Sequence, residues 1–182
     1  MPKSNYAIVF PGQGAQEIGM GRDFYEAFEV CRSSFDEADD ALGFRLSKVI
    51  FDGPDDELLK TAITQPAILV VSMAILRAAE RELGRPAEPV FYAGHSLGEY
   101  TALAASGVLT LGDAVRLVHR RGTLMQEAVP IGIGAMSAIM GLDMETVASV
   151  CSEAASGEVC GPANVNSPGQ IVISGLASAV AR

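Results

Sequence analysis

Basic residues are scarce in this 182-residue chain: 13 Lys and Arg stand against 22 Asp and Glu, a net charge of −9 with a pI near 4.6. That deficit argues against a nucleic-acid-binding surface and against docking on an anionic membrane, so an anionic substrate must be met by a local basic group. Long apolar runs are lacking too. The longest nearly apolar stretch, Pro66 to Leu76, is closed by Arg77, short of the roughly 20 residues a membrane-spanning helix needs. The five apolar residues from Tyr6 to Phe10 are too few for the core of a signal peptide. Cysteine is sparse, and Cys31, Cys151 and Cys160 form no CxxC pair. We expect reduced thiols in a cytoplasmic protein, with neither disulfide nor metal duty. What remains is 49% apolar and 19% charged, a globular composition. Its length suits one compact domain with an appendage, or part of something larger.

The order of elements predicts an α/β class. Tyr6 to Phe10 reads as a buried strand halted by Pro11-Gly-Gln-Gly14, followed by a helix over about Gly21 to Ala41 and a longer one from about Pro66 to Leu83. Pro89 to Ala93 is the next strand, Glu99 to Ser106 and Asp113 to Met125 are helices, and strands alternating with helices imply a parallel sheet. After Pro130 the pattern changes. Ala135 to Leu142, Met144 to Ala155, Val159 to Val165, Gln170 to Ser174 and a helix near Leu176 give the order β-α-β-β-α, an incomplete ferredoxin-like unit. We therefore expect a large α/β subdomain over 1–130 and a smaller one over 131–182.

Gly94-His-Ser-Leu-Gly98 matches GxSxG, in which small flanking residues permit a strained strand-to-helix turn that exposes a serine hydroxyl. The bare motif is weakly specific. A strand before it and an apolar helix after it supply the context, so Ser96 is the candidate nucleophile, with a helix-capping serine as the alternative. A base is harder to find, because there are two histidines. His95 is Ser96's neighbour, where adjacent side chains point apart, and His119 falls about 160° from the apolar face of its helix and is expected to face solvent.

Arg121 occupies the middle of that apolar face: Ala114, Leu117, Val118, Leu124 and Met125 lie within about 60° of it. A guanidinium there needs an anionic partner. Two readings stay open, a structural ion pair with an internal Asp or Glu, or a site for a substrate carboxylate that the planar fork would bind through both oxygens. Gly12-Gln-Gly14 follows a strand, but Glu17 stands where a dinucleotide fingerprint needs glycine and would repel a pyrophosphate. Aiming backbone N–H groups at an oxyanion is the use of such a loop that fits a nearby serine.

Phe10-Pro-Gly-Gln-Gly14 with Gln16, Thr64-Gln-Pro-Ala67, Gly94-His-Ser-Leu-Gly-Glu-Tyr100, Arg121-Gly122 with Met125-Gln126, and Asn164-Val-Asn-Ser-Pro-Gly-Gln170 occur in that order. The ordered set resembles the malonyl-CoA:acyl carrier protein transacylases of fatty-acid synthesis, from Ala7 to Arg182. The resemblance implies an α/β-hydrolase-like large subdomain carrying an inserted ferredoxin-like small one, with the acyl group held in the cleft between them. It implies Ser96 as the acylated nucleophile, backbone N–H groups of Gln13 and Leu97 as the oxyanion hole, Arg121 on the malonyl carboxylate, and Met125 lining the acyl pocket. Asn164 and Asn166 would border the cleft or simply form the turn. Malonyl-CoA enters as substrate, no cofactor or metal is implied, and the partner is an acyl carrier protein, with Arg116 and Arg120 as docking candidates. In that family the base is a histidine downstream of the Asn-Ser-Pro-Gly segment. We therefore expect this chain to be the amino-terminal portion, a little under two thirds, of a longer enzyme, inactive by itself. The alternatives are a serine thioesterase or esterase, to which Ser96 is equally suited, and a non-catalytic acyl-binding chain.

Overall fold

The computed structural model describes residues 5–130 and 132–182. The chain is a mixed α/β protein in the order β1 (Ile8–Phe10), α1 (Arg22–Ala27), α2 (Glu29–Leu42), α3 (Leu46–Asp52), α4 (Asp55–Leu58), α5 (Thr61–Leu83), β2 (Tyr92–Gly94), α6 (Leu97–Ala105), α7 (Leu111–Ala128), β3 (Gly134–Met140), α8 (Met144–Ala155), β4 (Cys160–Ser167), β5 (Gln170–Leu176) and α9 (Ala177–Ala181). It divides into two compact units, Met1–Met125 and Gln126–Arg182. That division falls inside α7, a few residues before the break that the order of elements suggested after Pro130.

In the first unit β1 and β2 pair in parallel, with Phe10 opposite Gly94, and helices carry most of the core. The helix expected over Gly21 to Ala41 is two helices. Phe28 sits extended between α1 and α2 (φ −123°, ψ 125°), and Arg32 Nη1 donates to the carbonyls of Tyr25 and Glu26 at 2.9 Å each, satisfying the end of α1 from within α2. Tyr25, Phe35 and Phe51 then meet as an aromatic cluster with ring centroids 5.0–5.5 Å apart. Sequence periodicity passed over α3 and α4 because both are short. α3 is tied to α2 by the buried Asp39 carboxylate, which accepts from Ser47 N at 2.8 Å, Ser47 Oγ at 2.6 Å and Arg45 Nε at 3.0 Å.

The long apolar helix begins earlier than expected. α5 opens at Thr61, so Pro66 is its sixth residue rather than its first. Proline has no N–H to give the carbonyl four residues back, that of Ala62. The vacancy is filled from another helix, as described below. α5 is long and apolar enough, by length and composition, to cross a membrane, but 67% of its most apolar window is buried inside the protein. Ile63 through Val71, with Met73, Ala74 and Ala78, make it the core helix of this unit.

In the second unit the strands pair antiparallel in the order β3-β5-β4. Ile171 and Ile173 alternate inward on β5 and pack with Val147 and Cys151 of α8, Ile139, Cys160 and Val180. Burial raises the Cys151 thiol pKa above its usual range, and a hydrogen bond with Cys160 adds to this. Pro162 stands on β4, which among the described residues pairs only with β5, and lies next to a break in the β4–β5 register, the edge-strand and bulge setting in which proline is tolerated. Asn166 Nδ2 donates to Gln170 Oε1 at 2.9 Å, tying the end of β4 to the start of β5.

Candidate active site

β2 ends at Gly94, α6 begins at Leu97, and the two intervening residues make the elbow. Ser96 has φ 55° and ψ −110°, a conformation that costs a non-glycine residue about 1–3 kcal/mol. The surroundings hold it there. A Cβ on Gly94 would lie 2.0 Å from the Gly98 carbonyl oxygen, and one on Gly98 would lie 2.6 Å from the Phe10 oxygen and 2.8 Å from that of Pro11. His95 N donates to Phe10 O at 3.2 Å, and Gly98 N donates back to His95 O at 2.8 Å. Both glycines are thus demanded by backbone-to-backbone contact, not merely by flexibility.

The Gly-rich loop lies on this elbow: a Cβ on Gly12 would sit 2.5 Å from His95 Nδ1 and 2.9 Å from the His95 oxygen. The loop is closed by Gln16, whose Oε1 accepts from Gly14 N at 2.8 Å. Gln13, next to the contact, is exposed, with its Nε2 3.4 Å from Thr61 Oγ1. Leu97, fully buried, is the first residue of α6. Its N–H belongs to the first turn, where no intrahelical acceptor exists and the helix dipole is positive.

Arg121 arrives from the other direction. α7 crosses the start of α5 so closely that a Cβ on Gly122 would be 2.5 Å from Thr61 O and 2.6 Å from Ala62 Cα. The crossing delivers the guanidinium to Ser96: Arg121 Nη2 donates to Ser96 Oγ at 3.0 Å, and Nη1 donates to Gln65 Oε1 at 2.6 Å. The Tyr100 ring, one helical turn past Ser96, lies 5.8 Å from its Cζ. These partners are an amide oxygen, a hydroxyl and an aromatic ring, rather than the Asp or Glu that a structural ion pair would use. Met125 Sδ is 3.5 Å from Gln65 Nε2, so Ser96, Arg121, Gln65 and Met125 form one connected chain.

Two expectations about α7 need correction. Leu117, Leu124 and Met125 are 46–48% exposed, while Leu111, Gly112, Ala114, Val115, Val118 and Gly122 are buried. The buried stripe is therefore rotated, and Arg121 borders it instead of lying at its centre. Small residues decide which side of a helix can approach another backbone, and a wheel scored on hydrophobicity does not weigh that. His119 borders the same stripe on the opposite side and does not face solvent: its Nδ1 is 2.8 Å from Ala62 O, and its ring packs at 5.6 Å from Phe44. Ala62 is the residue whose carbonyl Pro66 leaves without a helical donor. The imidazole supplies the missing N–H.

The acyl transferase domain family matches residues 7–182. The chain belongs to that family. It is 50% identical over 179 residues to the malonyl CoA-acyl carrier protein transacylase of Escherichia coli K12, a match covering 98% of this chain and 57% of that protein. Among solved structures it resembles the malonyl-CoA:acyl carrier protein transacylase of Xanthomonas oryzae, with 47% identity, a TM-score of 0.90 and coverage of 100% of this chain and 57% of the other. It also resembles a malonyl-transacylase solved in complex with its type II polyketide synthase acyl-carrier protein (50% identity, TM-score 0.88, coverage 98% and 57%). The chain thus spans 54–57% of the length of the curated relatives it matches.

Site residues that sequence reasoning passed over are Gln65 and Tyr100. Gln65 carried a signal: a long amide inside the run Ile63 to Val71, where nothing but a specific partner justifies burying it. The mostly apolar groove of about 430 Å³ between β1 and α5, lined by Val9, Ile68, Val71 and Ile75 among others, does not include Ser96 or Arg121. Among the described residues, no group of three or more His, Cys, Asp or Glu side chains is arranged to hold a metal ion.

Proposed function

We propose that the protein carrying this sequence moves a malonyl group from malonyl-CoA to the phosphopantetheine thiol of an acyl carrier protein, in fatty-acid synthesis, through an ester on Ser96. The observation that carries the reading is the 3.0 Å contact between Arg121 Nη2 and Ser96 Oγ, made by a guanidinium whose other anchor is neutral. A nucleophile and a cation with no Asp or Glu paired to it among the described residues suit an acyl group that ends in a carboxylate. An esterase for neutral acyl groups has no use for that charge.

In the forward half-reaction Ser96 Oγ bonds to the thioester carbonyl carbon and its proton passes to a general base. The C–S bond then breaks, and the CoA sulfur leaves and takes up a proton. The carrier thiol reverses these steps and frees the serine. The Leu97 N–H at the head of α6, with that of Gln13, is assigned to the oxyanion. Arg121 would turn from Ser96 to the malonyl carboxylate, and Met125 would border the acyl group. Hydrogen bonds to charged groups are worth about 1.5–3 kcal/mol each, so a two-pronged contact separates malonyl from acetyl by roughly 10² to 10⁴ in rate. Neither histidine of the chain is assigned as the base: His119 is engaged with Ala62 O, and His95 lies against Gly12. Residues 1–182 alone are accordingly proposed to turn over little or not at all.

The finer architecture belongs to the same reading. The first unit, with its parallel pair and elbow, is taken as an α/β-hydrolase-like large subdomain, and the β3-β5-β4 order supports a ferredoxin-like small one. A cytoplasmic setting rests on the free thiols Cys31, Cys151 and Cys160. Arg116, paired with Asp113 at 2.7 Å, and exposed Arg120 remain the docking candidates for the carrier.

The test is incubation with malonyl-CoA followed by peptide mass mapping. The reading expects one malonyl group on Ser96, absent from Ser96→Ala and discharged by the holo carrier protein faster than by buffer. An unmodified Ser96 would refute it, and discharge at the same rate in buffer alone would favour a hydrolase.

A further inference from the structure

Gln65 is fully buried on α5, among Ile63, Pro66, Ala67, Ile68 and Leu69. A primary amide in such a place must be paired, and its two ends are not interchangeable, since the oxygen only accepts and the nitrogen only donates. Here both ends have contacts. Oε1 takes the Arg121 Nη1 hydrogen at 2.6 Å, and Nε2 lies 3.5 Å from the Met125 sulfur, a weak acceptor. Arginine can only donate, so it fixes which end of the amide faces it, the sulfur takes the other end, and the amide holds the guanidinium whose other nitrogen rests on Ser96 Oγ. The backbone beneath is held as well, because the Ala62 carbonyl at the foot of this turn is bound by His119.

We propose that Gln65 is a positioning residue for acyl selectivity: a neutral anchor that aims the Arg121 guanidinium at Ser96 while leaving its full charge for the carboxylate of the acyl group. The proposal rests on the transacylase reading above and adds the reason for an amide at this position. A carboxylate of the same size would hold the arginine equally well, but it would satisfy the charge internally and compete with the substrate for the same N–H groups. An apolar side chain would leave the charge and lose the aim.

The experiment measures kcat/KM for Ser96 acylation from malonyl-CoA and from acetyl-CoA in the protein carrying this sequence, with Gln65→Glu and Gln65→Met beside the wild type. For Q65E, nearly the same shape as the native residue, the malonyl-to-acetyl ratio is expected to fall by roughly a hundredfold, and for Q65M by roughly tenfold. The loss in Q65E should appear mainly in KM for malonyl-CoA. Acylation from acetyl-CoA should not fall with it, since the acetyl group carries no charge for Arg121 to hold. Simple damage to packing would lower both substrates alike. A ratio within twofold of wild type in either variant, an equal fall for both substrates included, overturns the proposal. Wild-type protein that forms no ester on Ser96 defeats the transacylase reading itself, and the role of Gln65 with it.

Discussion

The elbow that presents Ser96 and the helix crossing that presents Arg121 meet in a single hydrogen bond of 3.0 Å, yet they are made of different materials. At the elbow, backbone touches backbone: Gly94 on Gly98, and Gly98 on Phe10 and Pro11. At the crossing Gly122 makes such a contact, but the site itself is set by side chains reaching for partners, His119 for Ala62 O, Arg121 for Gln65, Gln65 for Met125. A backbone contact has no rotamer with which to absorb an added atom. A side-chain contact can shift, and it can be tuned by a change of chemistry at constant shape. The nucleophile should therefore fail all at once when its supports are altered, and the charge should fail by degrees.

Gly94→Ala puts a methyl 2.0 Å from a carbonyl oxygen and is expected to destabilise by about 3 kcal/mol or more, read from the urea midpoint at unchanged m. Little loss there would dissolve the contrast. Gly122→Ala meets backbone at 2.5 Å but between two helices that can part, so about 1–3 kcal/mol is expected, with a lowered malonyl preference because Arg121 moves with α7. His119→Ala leaves the Ala62 carbonyl without its donor and should cost about 1–2 kcal/mol while Ser96 can still be acylated. Ser96→Gly should act in the opposite sense. It relieves the strain at φ 55° and is expected to gain about 1 kcal/mol, less than the strain itself because glycine is more disordered when unfolded, while abolishing the ester.

The smallest effect lies in the second unit and involves pH. The Thr146 backbone N–H bound to the Asp143 carboxylate, at the head of α8, holds its pKa below the ordinary carboxylate range. The folded protein then binds that proton less readily than the unfolded chain. The stabilisation is present above the unfolded carboxyl's range and is lost as pH falls through the lower folded value. Asp143→Asn keeps a cap and should remove this contribution to the acid slope of stability, measured as the denaturation midpoint against pH; an unchanged slope would show that the cap does not contribute.

What could be read from the sequence follows the same contrast. The elbow was legible because its chemistry is local: a strand, two glycines flanking His-Ser-Leu, and an apolar helix lie within a short span. α8 was legible for a similar reason, its expected bounds of Met144 to Ala155 matching those observed. The crossing was only half legible. Arg121 stood out against its apolar neighbours, but the rotation of the buried stripe depends on Gly122 meeting Thr61 and Ala62, 60 positions away. The same distance hid why Pro66 can sit inside α5 and why His119 is partly buried: each solves the other's problem, and neither residue says so alone. Gln65 was passed over, because its partners Arg121 and Met125 lie far along the chain and only they explain an amide buried in an apolar run.

The most direct measurement of the central claim is a structure of the protein with the malonyl group esterified to Ser96. The account predicts that the free carboxylate accepts two hydrogen bonds from Arg121, that the guanidinium has left Ser96 Oγ, and that Nη1 still rests on Gln65 Oε1. A carboxylate turned out to solvent, with Arg121 still donating to the esterified serine oxygen, would contradict it.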